Sequence, residues 1–418
     1  MLTHQQNERI TRVGPGTPCG EMMRRYWHPI AASAQLPDPG TRAVRILGED
    51  LVLYRDLAGR IGLVEPQCPH RKAGLVYGMP DECGIRCTYH GWLFDSSGQC
   101  IEQPFESFAN PRSTYKDEIK IKAYPAQELG GLIFAYLGPA PAPLLPNWES
   151  YVMDDVYREI GFAMIPCNWL QTVENAGDSS HVVSTHWQYS QYVLGKLGRP
   201  DLRRHEKSSG AAGYFLRERE LDGKYGVGAI LFPYTDAQSD YTYQIRVPVD
   251  DTTTLHIWYM VFTKEAQECL GVSLPAQRRQ QDIPTFEVPV PKLIGGAAPD
   301  WSLLDSNAGQ DLAMWYTQGP IMDRTSEHLG YGDRHIVHTR KFIDDQIRLV
   351  EEGKDPINTF RDSEANICLV PEHKAPMPPL VTGDGRPDRT NAARKFSPVF
   401  QMATLHKLGP DSLNDPAY

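Results

Sequence analysis

Two short motifs constrain this chain more than anything else in it: Cys68-Pro-His70 and Cys87-Thr-Tyr-His90, within CPHRKAGLVYGMPDECGIRCTYHGW at residues 68–92. Two thiols and two imidazoles at that spacing require a metal. Structural zinc accepts a Cys2His2 set. A zinc knuckle, however, usually keeps both cysteines in one motif and both histidines in the other, whereas here each half supplies one of each. That mixed order suits a two-iron, two-sulfide cluster in which one iron takes the thiolates and the other the imidazoles. Eight cysteines occur, at 19, 68, 83, 87, 100, 167, 269 and 368, and only 68 and 87 share a pattern with histidines. Reduced thiols around one metal site explain this better than a disulfide framework. Cys83 and Cys100 carry no assigned role.

The 418 residues suffice for two domains. CGEMMRRYWHPIAASAQL (19–36) predicts a short helix, within a segment 1–41 expected to pack on the larger domain. From 42 to 140 the chain turns to short apolar runs punctuated by Gly, Pro and Asp, which predicts a small all-β domain. Pro-rich PAPAPLLPNW (139–148) predicts a linker into a second domain at 141–418. There, 168–187 reads as helix, YGVGAILFPY, YTYQIRVPV and TTLHIWYMVF as strands, and 302–317 and 333–351 as helices. The DDT between the last two strands is a hairpin signal. The Pro-rich tail from 371 is expected to lie along the surface without regular structure. The fold class is therefore α+β.

A net charge of −10, from 42 basic and 52 acidic residues, excludes broad attraction to nucleic acid or anionic lipid. No run approaches the ~18 apolar residues of a bilayer span. MLTHQQNERITRVG lacks the basic start and apolar core of a secretory signal, so a cytoplasmic protein without membrane partner is expected. GPGTPCG at 14–20 has neither the preceding strand nor the spacing of a dinucleotide fingerprint.

The second constellation is NWLQTVENAGDSSHVVSTHW at 168–187, where His181 and His186 follow Asp178. On an ideal α-helix, residues five apart diverge by about 140°. Both imidazoles reach one ion only if the helix bends, tightens or ends between them. Asp178 and His181, three apart, do share a face, and a carboxylate there can orient a ligating imidazole. Taken alone, the stretch also reads as an amphipathic helix with incidental histidines.

CPHR…CTYHGW, with sixteen residues between His70 and Cys87, closely resembles the Rieske signature. Residues 168–187 resemble the E-N-x-x-D-x-x-H-x4-H segment of the Rieske non-heme iron oxygenases. GPGTPCGEMMRRYWHPIA and GPIMDRTSEHLG look most like the oxygenase (alpha) subunits of the phthalate dioxygenase-like branch. The resemblance implies an all-β Rieske domain followed by a catalytic domain with a curved antiparallel sheet covered by helices, of helix-grip, START-like form. It implies a 2Fe-2S cluster on Cys68, His70, Cys87 and His90, and a mononuclear Fe(II) on His181, His186 and a downstream carboxylate. Family pattern puts that carboxylate in a helix after Gln or Glu. NAGQDLAMWYTQGP fits, which selects Asp311 over its rivals Asp305 and Asp323.

O2 is then a co-substrate, and NAD(P)H supplies electrons through a separate reductase carrying FMN and a 2Fe-2S centre. In this family the cluster of one subunit serves the iron of its neighbour. A path through Asp178 to His181 makes a homotrimer, or a stacked hexamer, part of the mechanism. Glu174 and Asn175 precede that bridge and line either the interface or the iron pocket, with helix polarity as the competing explanation. A Rieske-type electron-transfer protein without oxygenase activity is the alternative function.

For the substrate, the resemblance implies a small aromatic acid of phenoxy-, biaryl- or methoxy-aromatic type, taken to a cis-diol or O-demethylated. By period-two alternation Gln244 and Arg246 share one strand face. If that face meets the pocket, Arg246 can grip a carboxylate; if it meets solvent, the arginine is an ordinary surface cation. Arg203 and Arg204 are weaker candidates.

Overall fold

The structure is a computed structural model that describes residues 1–178, 180–193, 230–237, 242–370, 380–383, 385–389 and 392–414. Arg203, Arg204, the strand start at 225–229 and residues 371–379 lie outside the described residues.

The first part is built from three small antiparallel sheets. One joins Gly40–Ile46, Glu49–Arg55, Ile61–Val64 and Ala123–Tyr124, and another joins Met79–Asp81, Gly84–Arg86, Leu93–Phe94 and Cys100–Glu102. Val52, Tyr54, Val64, Leu75, Ile85 and Phe94 form an apolar core between them that also encloses Cys68 and Cys87. The third sheet corrects the helix expected over 19–36. Helix stops at Met23, and Trp27–Ala32 is a fully buried strand paired with Leu132–Tyr136. A short apolar run containing Pro29 suits a strand as well as a helix, and its pairing partner lies far downstream.

The second part is organised on a six-stranded sheet, in the order Ile230–Leu231, Thr235–Ala237, Tyr243–Asp250, Thr253–Phe262, Tyr157–Ile165, Thr285–Glu287. Neighbours are antiparallel except the last pair, which is parallel. Tyr243–Asp250 and Thr253–Phe262 form the expected hairpin, with Arg246 opposite His256 and Gln244 opposite Trp258. Alternation divides the sheet cleanly. Ile160, Phe162, Ile245, Val247, Ile257 and Tyr259 enter the large core that also takes Trp169, Leu170 and Val173. Ala163, Ile165, Trp258, Met260 and Phe262 face Leu312, Trp315 and Phe400.

Five helices matter to the site: α1 (His4–Thr11), α2 (Trp169–Gly177), α3 (Asn307–Tyr316), α4 (Arg334–Glu351) and α5 (Pro398–Leu408). α1 is fastened to α4 through Arg9, which pairs with Asp344 and Glu351 at 2.7 Å each. α3 begins at Ser306, whose hydroxyl accepts from the Gly309 N–H. A Cβ at Gly309 would collide with the Leu303 carbonyl oxygen, so glycine lets this helix sit tight against the preceding turn. The Pro-rich stretch 139–148 is pinned rather than loose: the Leu144 N–H donates to the Phe360 carbonyl at 2.7 Å, and Trp148 is buried. α5 corrects the irregular surface tail expected from 371, because its Val399, Phe400 and Ala403 are buried against the sheet's second face.

Candidate active site

The two cysteine loops are near copies of each other. In the first, the Lys72 N–H donates to the Cys68 carbonyl and the Cys68 N–H to the Ala73 carbonyl, both at 2.9 Å. In the second, the Gly91 N–H donates to the Cys87 carbonyl at 2.9 Å and the Cys87 N–H to the Trp92 carbonyl at 2.8 Å. Each loop closes on a residue in the left-handed region, Lys72 at φ 59 and Gly91 at φ 77. The thiols lie inside, Cys68 1% and Cys87 2% exposed, and burial together with Cys87 pushes the Cys68 thiol up to about 12. The imidazoles lie outside. His70 is exposed, its ring is 4.4 Å from that of His90, and it stacks on Trp92 at 4.5 Å. Arg86 braces the second loop by donating to the Gly91 carbonyl at 2.7 Å while pairing with Asp81 and Glu102.

A single tetrahedral ion with bonds of 2.0–2.3 Å needs its donor atoms within about 4 Å of one another. Among the described residues, only His181, His186 and Asp311 bring three donor atoms within 4.8 Å of each other. Two buried thiols on one side and two outward imidazoles on the other suit a two-iron cluster.

The second site forms where α2 ends. Asp178 takes an extended conformation at φ −93, ψ 113, and Val182–Tyr189 is π-helical. A π-helix bonds i to i+5, so residues five apart nearly superpose. That winding is what lets His181 and His186 converge, with rings 5.1 Å apart at 81°. Asp311, on α3, lies 3.2 Å from His186 Nε2 and 3.8 Å from His181 Nε2. Burial pushes the Asp311 carboxyl up, but His186, His181 and Arg246 outweigh it and hold it below its ordinary value. Burial depresses the His181 imidazole, whereas at His186 Asp311 and Gln310 more than offset burial.

The backs of both rings are addressed too. Gln310 Nε2 donates to the Leu304 carbonyl at 2.8 Å, which turns its Oε1 toward His186 Nδ1 at 3.0 Å. His186 Nδ1 therefore carries the proton and Nε2 is left to face a metal. Asp178 Oδ2 stands 3.7 Å from His181 Nδ1, beyond hydrogen-bond distance, and its other oxygen accepts from Ser180. Asn175 Nδ2 reaches Asp311 Oδ1 at 3.3 Å. The rivals are engaged elsewhere: Asp305 pairs with Lys395 at 2.6 Å, and Asp323 accepts from Thr325 and Ser326 in an exposed turn. Glu174 is a framework residue, buried between Arg324 at 2.8 Å and Arg340 at 2.6 Å, with Glu327 completing the network on Arg340. A cleft of about 430 Å³ opens beside Asn175, Asp178, His181 and Thr185.

Arg246 faces the interior, which overturns the solvent-facing reading. It is 2% exposed, its Nη2 lies 3.3 Å from Gln244 Oε1 and 3.6 Å from Asp236, and its guanidinium sits 5.8 Å from the Trp315 ring. Sequence reasoning missed Gln310, Trp315 and His256. The first two flank Asp311 on α3, and His256 stands in an otherwise apolar strand, a signal the hairpin register could have exposed.

Residues 26–124 match the family model of the Rieske 2Fe-2S domain, and residues 298–372 match that of the LigXa C-terminal domain like family. The 5,5'-dehydrodivanillate O-demethylase oxygenase subunit of Sphingobium sp. (strain NBRC 103272 / SYK-6) is 40% identical over 381 residues, 88% of this chain and 86% of that one. The chain belongs to the Rieske non-heme iron oxygenases. This oxygenase is also similar to the phthalate 4,5-dioxygenase oxygenase subunit of Pseudomonas putida, 31% identical over 86% of this chain and 89% of that one. In fold it is similar to Pseudomonas putida CBB5 NdmA, at a TM-score of 0.56 and 18% identity over 83% of this chain and 99% of that one. The cofactors of the Rieske oxygenase are a 2Fe-2S cluster and a mononuclear iron, with O2 as co-substrate and electrons from a reductase. The compact donor set of His181, His186 and Asp311, with both Nε2 atoms turned toward one Asp311 oxygen, fits such an iron. Oxygenase relatives displace the alternative of a bare electron carrier. Among the described residues no helix is long and apolar enough to cross a membrane.

Proposed function

We propose that the chain is the oxygenase component of an O-demethylating system for a methoxy-aromatic acid. Cys68 and Cys87 hold one iron of the cluster, and His70 and His90 the other. His181, His186 and Asp311 hold the mononuclear iron, which when bound supplies O2 activation. The single observation that carries this assignment is the approach of both Nε2 atoms to one Asp311 oxygen, at 3.2 and 3.8 Å. Higher identity to the O-demethylase relative, 40% against 31% for the phthalate enzyme, favours O-demethylation over cis-dihydroxylation. The balance is ArOCH3 + O2 + 2e⁻ + 2H⁺ giving ArOH, formaldehyde and water.

The chain's own residues divide the labour. Gln310 fixes the tautomer of His186. Asp178, 3.7 Å behind His181 Nδ1, orients that ring and relays electrons from the cluster of a neighbouring subunit in a homotrimer or stacked hexamer. Asn175 steadies Asp311. Arg246, steered by Gln244, receives the substrate carboxylate. The Rieske domain occupies 42–140, to which the strand Trp27–Ala32 adds an edge, and the catalytic domain 141–418, on which α1 packs. Reducing equivalents come from an NAD(P)H-dependent reductase with FMN and a 2Fe-2S centre, in the cytoplasm.

The test supplies the iron-replete chain with a reductase of that type, NADH and a panel of aromatic acids. Stoichiometric formaldehyde and the phenol are expected from a methoxybenzoate. A cis-diol without formaldehyde would replace O-demethylation by dihydroxylation, and reductant oxidation without either product would refute the oxygenase reading.

A further inference from the structure

Between the sheet and α3 lies a group of buried polar atoms that find no partner among the described residues. They are Nε and Nη1 of Arg246, Nε1 of Trp315, and both ring nitrogens of His256, on residues that are 2%, 1% and 0% exposed. Arg246 and His256 are direct cross-strand partners, so both side chains leave the same face of the sheet. The His256 ring lies 4.1 Å from Trp258 and 5.3 Å from Trp315, the residue one helical turn beyond Asp311. Buried donors and acceptors left unpaired are costly, so a cluster of them marks a place where a ligand completes the set.

The inventory says which ligand. Arg246 and Trp315 offer only donors, and a carboxylate answers them. His256 differs. Burial and the adjacent Arg246 hold its imidazole far below its ordinary pKa, hence neutral. A neutral imidazole presents one N–H and one lone pair. A carboxylate can accept from the N–H but has nothing to donate to the lone pair, whereas a hydroxyl both donates and accepts.

We propose that His256 is a specificity residue that hydrogen-bonds a phenolic hydroxyl on the ring of the bound aromatic acid, whose carboxylate faces Arg246. The substrate is then a hydroxylated aromatic acid, a conclusion that rests on the aromatic-acid reading above and narrows it.

Calorimetric titration of the anaerobic, iron-replete full chain with benzoate and the three monohydroxybenzoates tests this without turnover. One hydroxy isomer is expected to bind about tenfold tighter than benzoate, the scale of one buried hydrogen bond. His256→Phe, which keeps a ring against the two tryptophans, is expected to bring the ratio of hydroxybenzoate to benzoate affinity down to about one. His256→Gln, with a donor and an acceptor, retains part of it. The methyl ether of the favoured isomer is expected to bind wild type no better than benzoate, a comparison independent of how any variant folds. A preference that survives His256→Phe, an ether that binds like the phenol, or no hydroxyl preference in wild type overturns the role of His256 alone. Failure of every acid to bind overturns the aromatic-acid reading together with it.

Discussion

Replacing Gln310 by Leu removes one acceptor at the back of one metal-facing imidazole and keeps the side chain's bulk. In the intact site the Gln310 amide is pinned by its donation to the Leu304 carbonyl at 2.8 Å, and its Oε1 meets His186 Nδ1 at 3.0 Å in a fully buried setting. Leucine forfeits that bond, strands a buried N–H, and frees the imidazole to turn or to switch tautomer. A lost neutral bond is worth about 1 kcal/mol and an orphaned buried donor about 1–3 kcal/mol. The part of this that falls on the metal-bound state is a loss of roughly 10–100-fold in iron affinity, about 1.4–2.7 kcal/mol, the range found when outer partners of ligating histidines are removed. Competition between the protein and a chromophoric ferrous chelator measures it, with the cluster's visible absorption as an internal standard for folding and loading. The mononuclear iron should leave the variant at correspondingly lower chelator concentrations while the cluster spectrum stays the same. Gln310→Glu, which still accepts from Nδ1, should recover part of the affinity. Unchanged iron affinity in Gln310→Leu would refute the argument that this amide sets the ligand's tautomer.

Asp178→Asn should keep both kinds of iron and lose turnover by about 10–100-fold, because the carboxylate behind His181 is weakened but no ligand is removed; single-turnover product formation at the wild-type rate sinks its relay role. Glu174→Ala leaves the buried guanidiniums of Arg324 and Arg340 short of a carboxylate, so a loss of about 3–5 kcal/mol is expected, read as a fall in urea midpoint; an unchanged midpoint would show the network is dispensable. Glu159 is buried under α5, accepts from Ser397 and from the Val399 N–H at 3.2 Å, and burial raises its carboxyl to about 7. Its folded pKa exceeds its unfolded value of 4.5, so its contribution is fully present below pH 4.5 and disappears as pH rises through about 7, a drop on the order of 3 kcal/mol. Glu159→Gln should match wild type at pH 4 and exceed it in urea midpoint at pH 8; equal midpoints at both pH values contradict the assignment.

What could be read from the chain depended on how far apart the cooperating residues lie. The cluster motifs are local: each cysteine and its histidine share one loop closed by a left-handed residue, so spacing carried the whole message. The histidine pair at 181 and 186 was legible as a pair, but its geometry contradicted the α-helix that the same stretch predicts. The contradiction was informative, because the chain resolves it by ending α2 at Gly177 and rewinding as a π-helix. Strand Trp27–Ala32 was misread as helix because what makes it a strand, the edge of Leu132–Tyr136, lies far along the sequence. Arg246 shows the same limit at the site. Alternation placed it on a face with Gln244, yet only α3 arriving from elsewhere decides that the face is closed to solvent.

The placement of α3 also sets two groups of side chains apart around the proposed iron site. The helix carries Asp311 toward the histidines and, a turn later, Trp315 toward Arg246 and His256. Asp178 and Asn175 reach the same trio from the end of α2, beside a cleft whose lining includes none of Arg246, Gln244 or His256. On the proposed assignment, electrons entering by way of Asp178 and substrate held from the sheet meet the iron on separate side chains. Substitutions along the first route should alter turnover with ligand affinity intact, and those along the second should alter affinity and choice of acid before they touch electron delivery. Trp315 is the described residue common to both neighbourhoods, since it lines the cleft and also stacks on His256.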